Sequence, residues 1–233
     1  MTETYFLGGY YLVESSSDKS WINQSLIPKK FYSLSNCICS HHPDISVLPW
    51  VNDAEDRERY RQKLRLSIEE FLTLQTQVDK WFGQDRYAWG EVFLDLNLAR
   101  EFAGNYLSHI QDIKLLAIAT TTDYRTLFLE ESASGNNEVG ISKALKSNQT
   151  IKIEHGFLGY EILGHEFGWF HSFVCNHLEN DFANKLNIEF NQHGLIDRYD
   201  LAIKASNYTN REDTGAEPVL WLPWAIVELD IFS

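Results

Sequence analysis

Histidine and cysteine are the side chains best suited to nucleophilic, proton-transfer and metal chemistry near neutral pH. In this chain they fall mainly in two stretches. The first is Asn36-Cys37-Ile38-Cys39-Ser40-His41-His42. The second runs from Phe157 to Ile196 and holds four of the eight histidines and one of the three cysteines. A site built from both would draw on Cys37, Cys39, His171, Cys175 and His177, which are ligands of the kind zinc takes. That set carries one reading of the chain, as a metal-binding protein or hydrolase.

Spacing argues against each part of it. Structural zinc sites favour thiolates separated by two residues, with a second pair further on; here a single residue separates Cys37 from Cys39. Alternation along a short strand near Phe31 to Ile38 turns both cysteines to the core instead. The pair His165-Glu166 followed by His171 lacks the four-residue histidine spacing of a zinc-protease helix. Its histidines are six apart, with Gly164 and Gly168 breaking the segment, so a hairpin or strand-to-helix turn is expected. From Trp169 to Lys185 the spacing predicts a helix. Phe170, Val174, Leu178, Phe182 and Leu186 form its apolar stripe, and His171 and Cys175 fall in the same sector as core residues.

A different chemistry is offered by aromatic rings beside carboxylates. Trp221 and Trp224, followed by Glu228 and Asp230 and joined by Trp169, would make an aromatic patch rimmed by negative charge. Such rings dominate binding hot spots, and an acidic rim speeds the capture of a basic partner. These five residues are the binding-site expectation; the competing account places the tryptophans in the core.

The elements that must position these residues follow from periodicity. Tyr5–Val13 reads as a strand or tight hairpin around Gly8-Gly9, Ile113–Thr120 as a buried strand, and residues 150–163 as a strand pair. Glu91–Leu96 and Thr126–Glu130 are further strand expectations, and the chain closes on a half-buried strand. One long helix is expected near 53–82, opened by a capping box of Asn52 and Glu55, with Tyr60, Leu64, Ile68, Phe71, Gln75, Val78 and Phe82 as its stripe. Helices are expected over 98–110, 141–145 and 197–207, and a flexible loop over 131–140. Strands and helices mix without a βαβ rhythm. The fold class is therefore α+β: a single globular domain over 1–233, with a mixed or antiparallel sheet packed against several helices.

Composition narrows the function. Hydrophobic residues at 44% and charged residues at 23% are ordinary globular values. The formal net charge of -13 repels nucleic acid and anionic membranes, and favours a basic protein partner. No phosphate-cradling glycine motif and no Gly-x-Ser-x-Gly elbow occurs, so no cofactor is implied. The N-terminal stretch lacks the charge pattern of a secretion signal and the cysteines are few, which points to a cytoplasmic protein. The expectation is a non-enzymatic acidic binding module, analogous in charge and size to immunity and inhibitor proteins.

Overall fold

The computed structural model describes residues 3–16, 19–45, 47–48, 53–134 and 140–231. Its strands and helices follow in the order β1 (Tyr5–Glu14), β2 (His41–His42), α1 (Ala54–Lys63), α2 (Ile68–Gly83), β3 (Tyr87–Ala88), β4 (Val92–Phe93) and α3 (Leu96–Phe102). Then come β5 (Ile113–Thr121), α4 (Thr122–Ser134), α5 (Gly140–Lys146), β6 (Thr150–Ile151), β7 (Phe157–Glu166), β8 (Trp169–Ser172), α6 (Glu179–Leu186), α7 (Tyr199–Thr209) and β9 (Trp221–Leu229). This is the expected α+β class.

Among the described residues one sheet of nine strands organises the fold, in the order β3-β4-β1-β5-β9-β7-β8, with β2 and β6 also pairing with β1. Every strand pair in it is antiparallel. Both faces are covered, which is why β5 and β9 read as nearly continuous apolar runs. Tyr10, Leu12, Leu115 and Ala117 face one core with Tyr60, Leu64, Phe71, Val78 and Phe102. Tyr11, Val13, Leu116 and Ile118 face the other, with Phe128, Phe173, Phe182, Ala202 and Trp224. The period-two alternation of β1 assigns successive residues to opposite layers.

The expected long helix is two helices. Asp53 caps α1 by accepting from the Glu55 and Asp56 N–H groups; Asn52 lies outside the described residues. After α1 the chain turns at Arg65, whose φ is +57°. Ser67 and Glu70 then open α2 with a reciprocal capping box. The apolar stripe is correspondingly interrupted: Tyr60, Leu64, Phe71 and Val78 are buried, while Ile68 is exposed.

Other expectations also change. Residues 126–130 belong to α4, so no strand forms there. Phe31–Ile38 is irregular, with one isolated bridge from Ser35 to Phe170. Tyr5–Glu14 is one strand, with a bulge between Leu7 and Gly9. The Trp169–Lys185 helix fails in its first half, where β8 and a series of turns precede α6. The reason lies in Phe167-Gly168. Both residues have positive φ, 48° and 92°, and form a two-residue hairpin that pairs Glu166 with Trp169. Strand pairing with β7 then claims the next residues. Of the expected loop 131–140, residues 131–134 end α4 and Gly140 starts α5, while 135–139 lie outside the described residues.

Candidate functional site: an acidic pocket under an aromatic rim

Two hairpins from opposite ends of the strand order meet at their tips. The β3–β4 connection carries Trp89, Gly90 and Glu91; the β7–β8 turn carries Phe167 and Gly168. The Trp89 indole N–H donates to the Phe167 carbonyl over 3.0 Å. The Trp89 and Trp169 rings meet edge to face with centroids 6.0 Å apart. Gly90, at φ +85°, lies so close to the Gly168 carbonyl that a Cβ would collide with it. Glycine is needed there for both reasons.

A pocket of about 530 Å³ opens beside this joint. Asn36, Cys37, Cys39, Ser40, His41 and Asp44 line one side, and Glu91, Glu166, Phe167, Trp169, Phe170 and His171 the other. The irregular segment on the first side is pinned to β7. Ser33 Oγ–H and the Leu34 N–H donate to the buried Glu161 carboxyl at 2.5 and 3.1 Å. The Ser33 N–H also points to Cys39 Sγ at 3.3 Å.

Buried polar groups define the floor. The Glu91 side chain is 2% exposed, and Asn36 Nδ2–H donates to its Oε2 at 2.6 Å. His41 Nδ1 stands 3.4 Å from the same oxygen, and the His41 side chain is 1% exposed. Among the described residues no other group meets that nitrogen, and its contact with Glu91 is an ion pair when the imidazole is protonated. The other ring nitrogen, Nε2, faces the Ser33 carbonyl at 3.4 Å. Burial pushes the Glu91 carboxyl above its ordinary range, opposed by His41. Above the floor His171 lies between Glu166, at 3.4 Å, and Glu217, at 3.7 Å. The lining thus contains three carboxylates and two histidines, with no lysine or arginine among the described residues.

Aromatic surface surrounds the mouth. Phe167 is 68% exposed and Trp89 39%. A bulky side chain at positive φ is strained, by about 1–3 kcal/mol, and such strain collects at functional positions.

His42, next in sequence to His41, points through β2 to the opposite face of the sheet. Its Nδ1 accepts from Tyr60 O–H at 2.9 Å and its Nε2–H donates to Glu14 at 3.3 Å. The Tyr60 hydroxyl oxygen in turn accepts the Asp44 N–H at 3.0 Å. Burial lowers the His42 pKa, and the Glu14 carboxylate opposes that shift. This relay fixes Asp44 at the pocket edge from behind.

The expected binding residues divide. Trp169 belongs to the pocket. Trp221 and Trp224 are fully buried, so they do not form a surface patch. Trp224 packs against Phe128 and Phe170, and the Trp221 indole N–H donates to the Glu217 carbonyl. Glu228 pairs with Lys114 and the Asp230 carbonyl accepts from Arg100, both near the end of β9 remote from Trp169.

Of the alternative metal set, Cys37, Cys39 and His171 do share the pocket lining. Cys175 instead meets Ser35 Oγ at 3.1 Å, and His177 lies edge-on to Trp21. Burial pushes the Cys39 and Cys175 thiols up to about 12. Neutral thiols are poor nucleophiles and must lose a proton to bind metal. Among the described residues no three His, Cys, Asp or Glu side chains are grouped to hold a metal ion. The strand expected for Cys37 and Cys39 is also absent; Cys39 is buried and Cys37 exposed.

Asp44, Glu91, Trp89 and Phe167 had no place in the sequence-based site. The available signal was a Trp-Gly-Glu and a Glu-Phe-Gly-Trp, each a glycine turn flanked by aromatic and acidic residues. No protein-family model matches the chain, no curated protein matches it, and no solved structure matches it.

Proposed function

We propose that this protein is a non-enzymatic binding module that captures a basic protein partner, with the mouth of the acidic pocket as its contact surface. One observation carries the reading: the strained, exposed Phe167 ring stands at the rim of a pocket whose lining, among the described residues, holds three carboxylates and two histidines and no lysine or arginine. Exposed aromatic anchors beside a depleted, complementary charge field are what protein interfaces use. The net charge of -13 supports it by steering a cationic partner from a distance. Inhibitor and immunity proteins meet basic enzymes by this electrostatic logic, and the function falls in their class.

The test is a photo-cross-linking residue placed at Phe167 in one variant and at Ile68 in another, in cells that express the protein. Ile68 is equally exposed and apolar, at 68%, but lies on α2. A basic protein cross-linked from position 167 alone is the expected result. Cross-links from position 68 alone, or to an acidic partner, would rule the reading out.

Among the described residues no helix is long and apolar enough to cross a membrane. Exclusion of direct nucleic-acid binding belongs to the same proposal on the ground of charge, and a cytoplasmic location on the ground of the three free cysteines.

A further inference from the structure

Next to Phe167 in sequence is Glu166, and Glu166 faces a histidine that a second carboxylate faces from its other side. We propose that this histidine, His171, is a pH-operated clasp: its protonation draws the β7–β8 tip onto the segment leading into β9 and weakens the pull of the mouth on a cationic partner. The clasp stands on geometry alone, whereas its effect on the partner rests on the reading above and regulates that same site.

His171 lies on β8 with its side chain 22% exposed. Its Nε2 is 3.4 Å from Glu166 Oε2, at the end of β7, and its Nδ1 is 3.7 Å from Glu217 Oε1, ahead of β9. Two carboxylates from separate parts of the chain thus approach the two nitrogens of one ring. A neutral imidazole has one N–H and one lone pair, so it donates to one carboxylate while its lone pair faces the other. An imidazolium donates to both. Charge-assisted hydrogen bonds of this kind run near about 2.7–2.9 Å. The observed distances are longer, and a positive ring takes up that slack.

The two carboxylates are held differently, which decides what moves. Glu217 is a fixed post: its N–H donates to Asn176 Oδ1 at 3.2 Å and its carbonyl accepts the Trp221 indole N–H at 3.0 Å. Glu166 instead ends β7 and is followed directly by Phe167 and Gly168, both at positive φ. A pull on Glu166 therefore acts on the turn that carries the exposed Phe167 ring. The same turn holds the carbonyl that accepts from Trp89, so the hairpin joint is tightened with it.

Other titratable groups face His171. His165, also on β7, is lowered to about 4 by burial and then by His171, which takes it out of the window between about pH 8 and 5 where histidines ordinarily titrate. Across the pocket, burial lifts the Cys39 thiol to about 12, beyond the same window. Cys37, His41, Asp44 and Glu91 share the lining, and burial raises the Glu91 carboxyl. A pH response of the wild type alone would mix these groups, so the deciding comparison is with His171→Gln. A positive charge set beside Glu166 and Glu217 weakens the field that attracts a basic partner.

The test is amide hydrogen exchange of the full chain by mass spectrometry, corrected for the pH dependence of unprotected amides, with the His171 ring followed by NMR through its C2–H shift. Peptides covering the turn at Phe167 and Gly168 are expected to gain about threefold in protection from pH 8 to 5, in step with the ring titration. His171→Gln should abolish the gain, and Glu217→Gln, which keeps the shape, should reduce it. No gain in the wild type, or an equal gain in His171→Gln, would overturn the clasp. The affinity of a basic partner cross-linked from position 167 should fall about threefold over the same range in the wild type and stay level in His171→Gln. An equal fall in both proteins would overturn the regulatory effect. If no basic partner cross-links from position 167, the binding reading fails, and the exchange result decides the clasp by itself.

Discussion

The indole N–H of Trp89 donates to the carbonyl oxygen of Phe167 over 3.0 Å, tying together hairpins from opposite ends of the strand order. This joint brings Glu91, from the turn between β3 and β4, under an aromatic rim supplied largely by the turn between β7 and β8. The pocket exists because two short turns, distant in sequence, close on each other.

Phe167 is the first place to separate stability from function. Its φ of 48° suits asparagine better than a bulky ring. Phe167→Asn is expected to raise stability by about 1 kcal/mol while reducing capture of the basic partner at least tenfold. Denaturant unfolding and a binding titration on the same sample check both.

Gly90 should be intolerant of any side chain. Gly90→Ala meets a positive φ and the Gly168 carbonyl together, so a loss of about 2–3 kcal/mol is expected. Tryptophan fluorescence should change as well, because the Trp89–Trp169 contact depends on the same joint.

The buried tryptophans make the opposite prediction. Trp224→Ala is expected to cost about 3–5 kcal/mol, since Trp224 fills the core between Phe128 and Phe170. In the folded fraction, affinity for the partner should be unchanged. A selective loss of binding with full stability would restore Trp224 as a contact residue.

Acid should loosen the α1 face of the sheet. Hydrogen bonding from His42 and the Lys63 ammonium hold the Glu14 carboxyl at about 2, below its ordinary 4.5. A depressed carboxylate stabilises fully above its unfolded value and loses that contribution as pH falls toward the folded one. The window is therefore about 4.5 down to 2. His42, lowered by burial, adds to the loss as pH falls below 6.5. Glu14→Gln is expected to cost about 1–2 kcal/mol at neutral pH and little at the acid end. Urea midpoints across pH for both proteins measure this.

The fold was legible in the sequence where periodicity was long and unopposed. The buried run of β5 and the helices expected at 141–145 and 197–207 lie where patterning puts them, while β9, expected half-buried by alternation, is buried on both faces from Trp221 to Val227. Misreadings arose where a turn overrode the pattern. Arg65 and the Ser67 capping box divide a stripe that looks continuous, and Phe167-Gly168 diverts a helical stripe into a strand. The site was legible only in pieces. Trp169 and the two Cys/His stretches belong near it, but Glu91 and Asp44 are unremarkable acids until hairpin closure buries one of them. Trp221 and Trp224 misled because tryptophan serves cores and interfaces equally well.

The most direct test of the account is the salt dependence of the complex, using the purified cross-linked partner and comparing wild type with Glu166→Lys. A basic partner held at this mouth must associate more slowly as salt rises, and Glu166→Lys must lower both the association rate and its salt slope. An association rate indifferent to salt and to Glu166→Lys would contradict the proposal that this acidic mouth is where the partner binds.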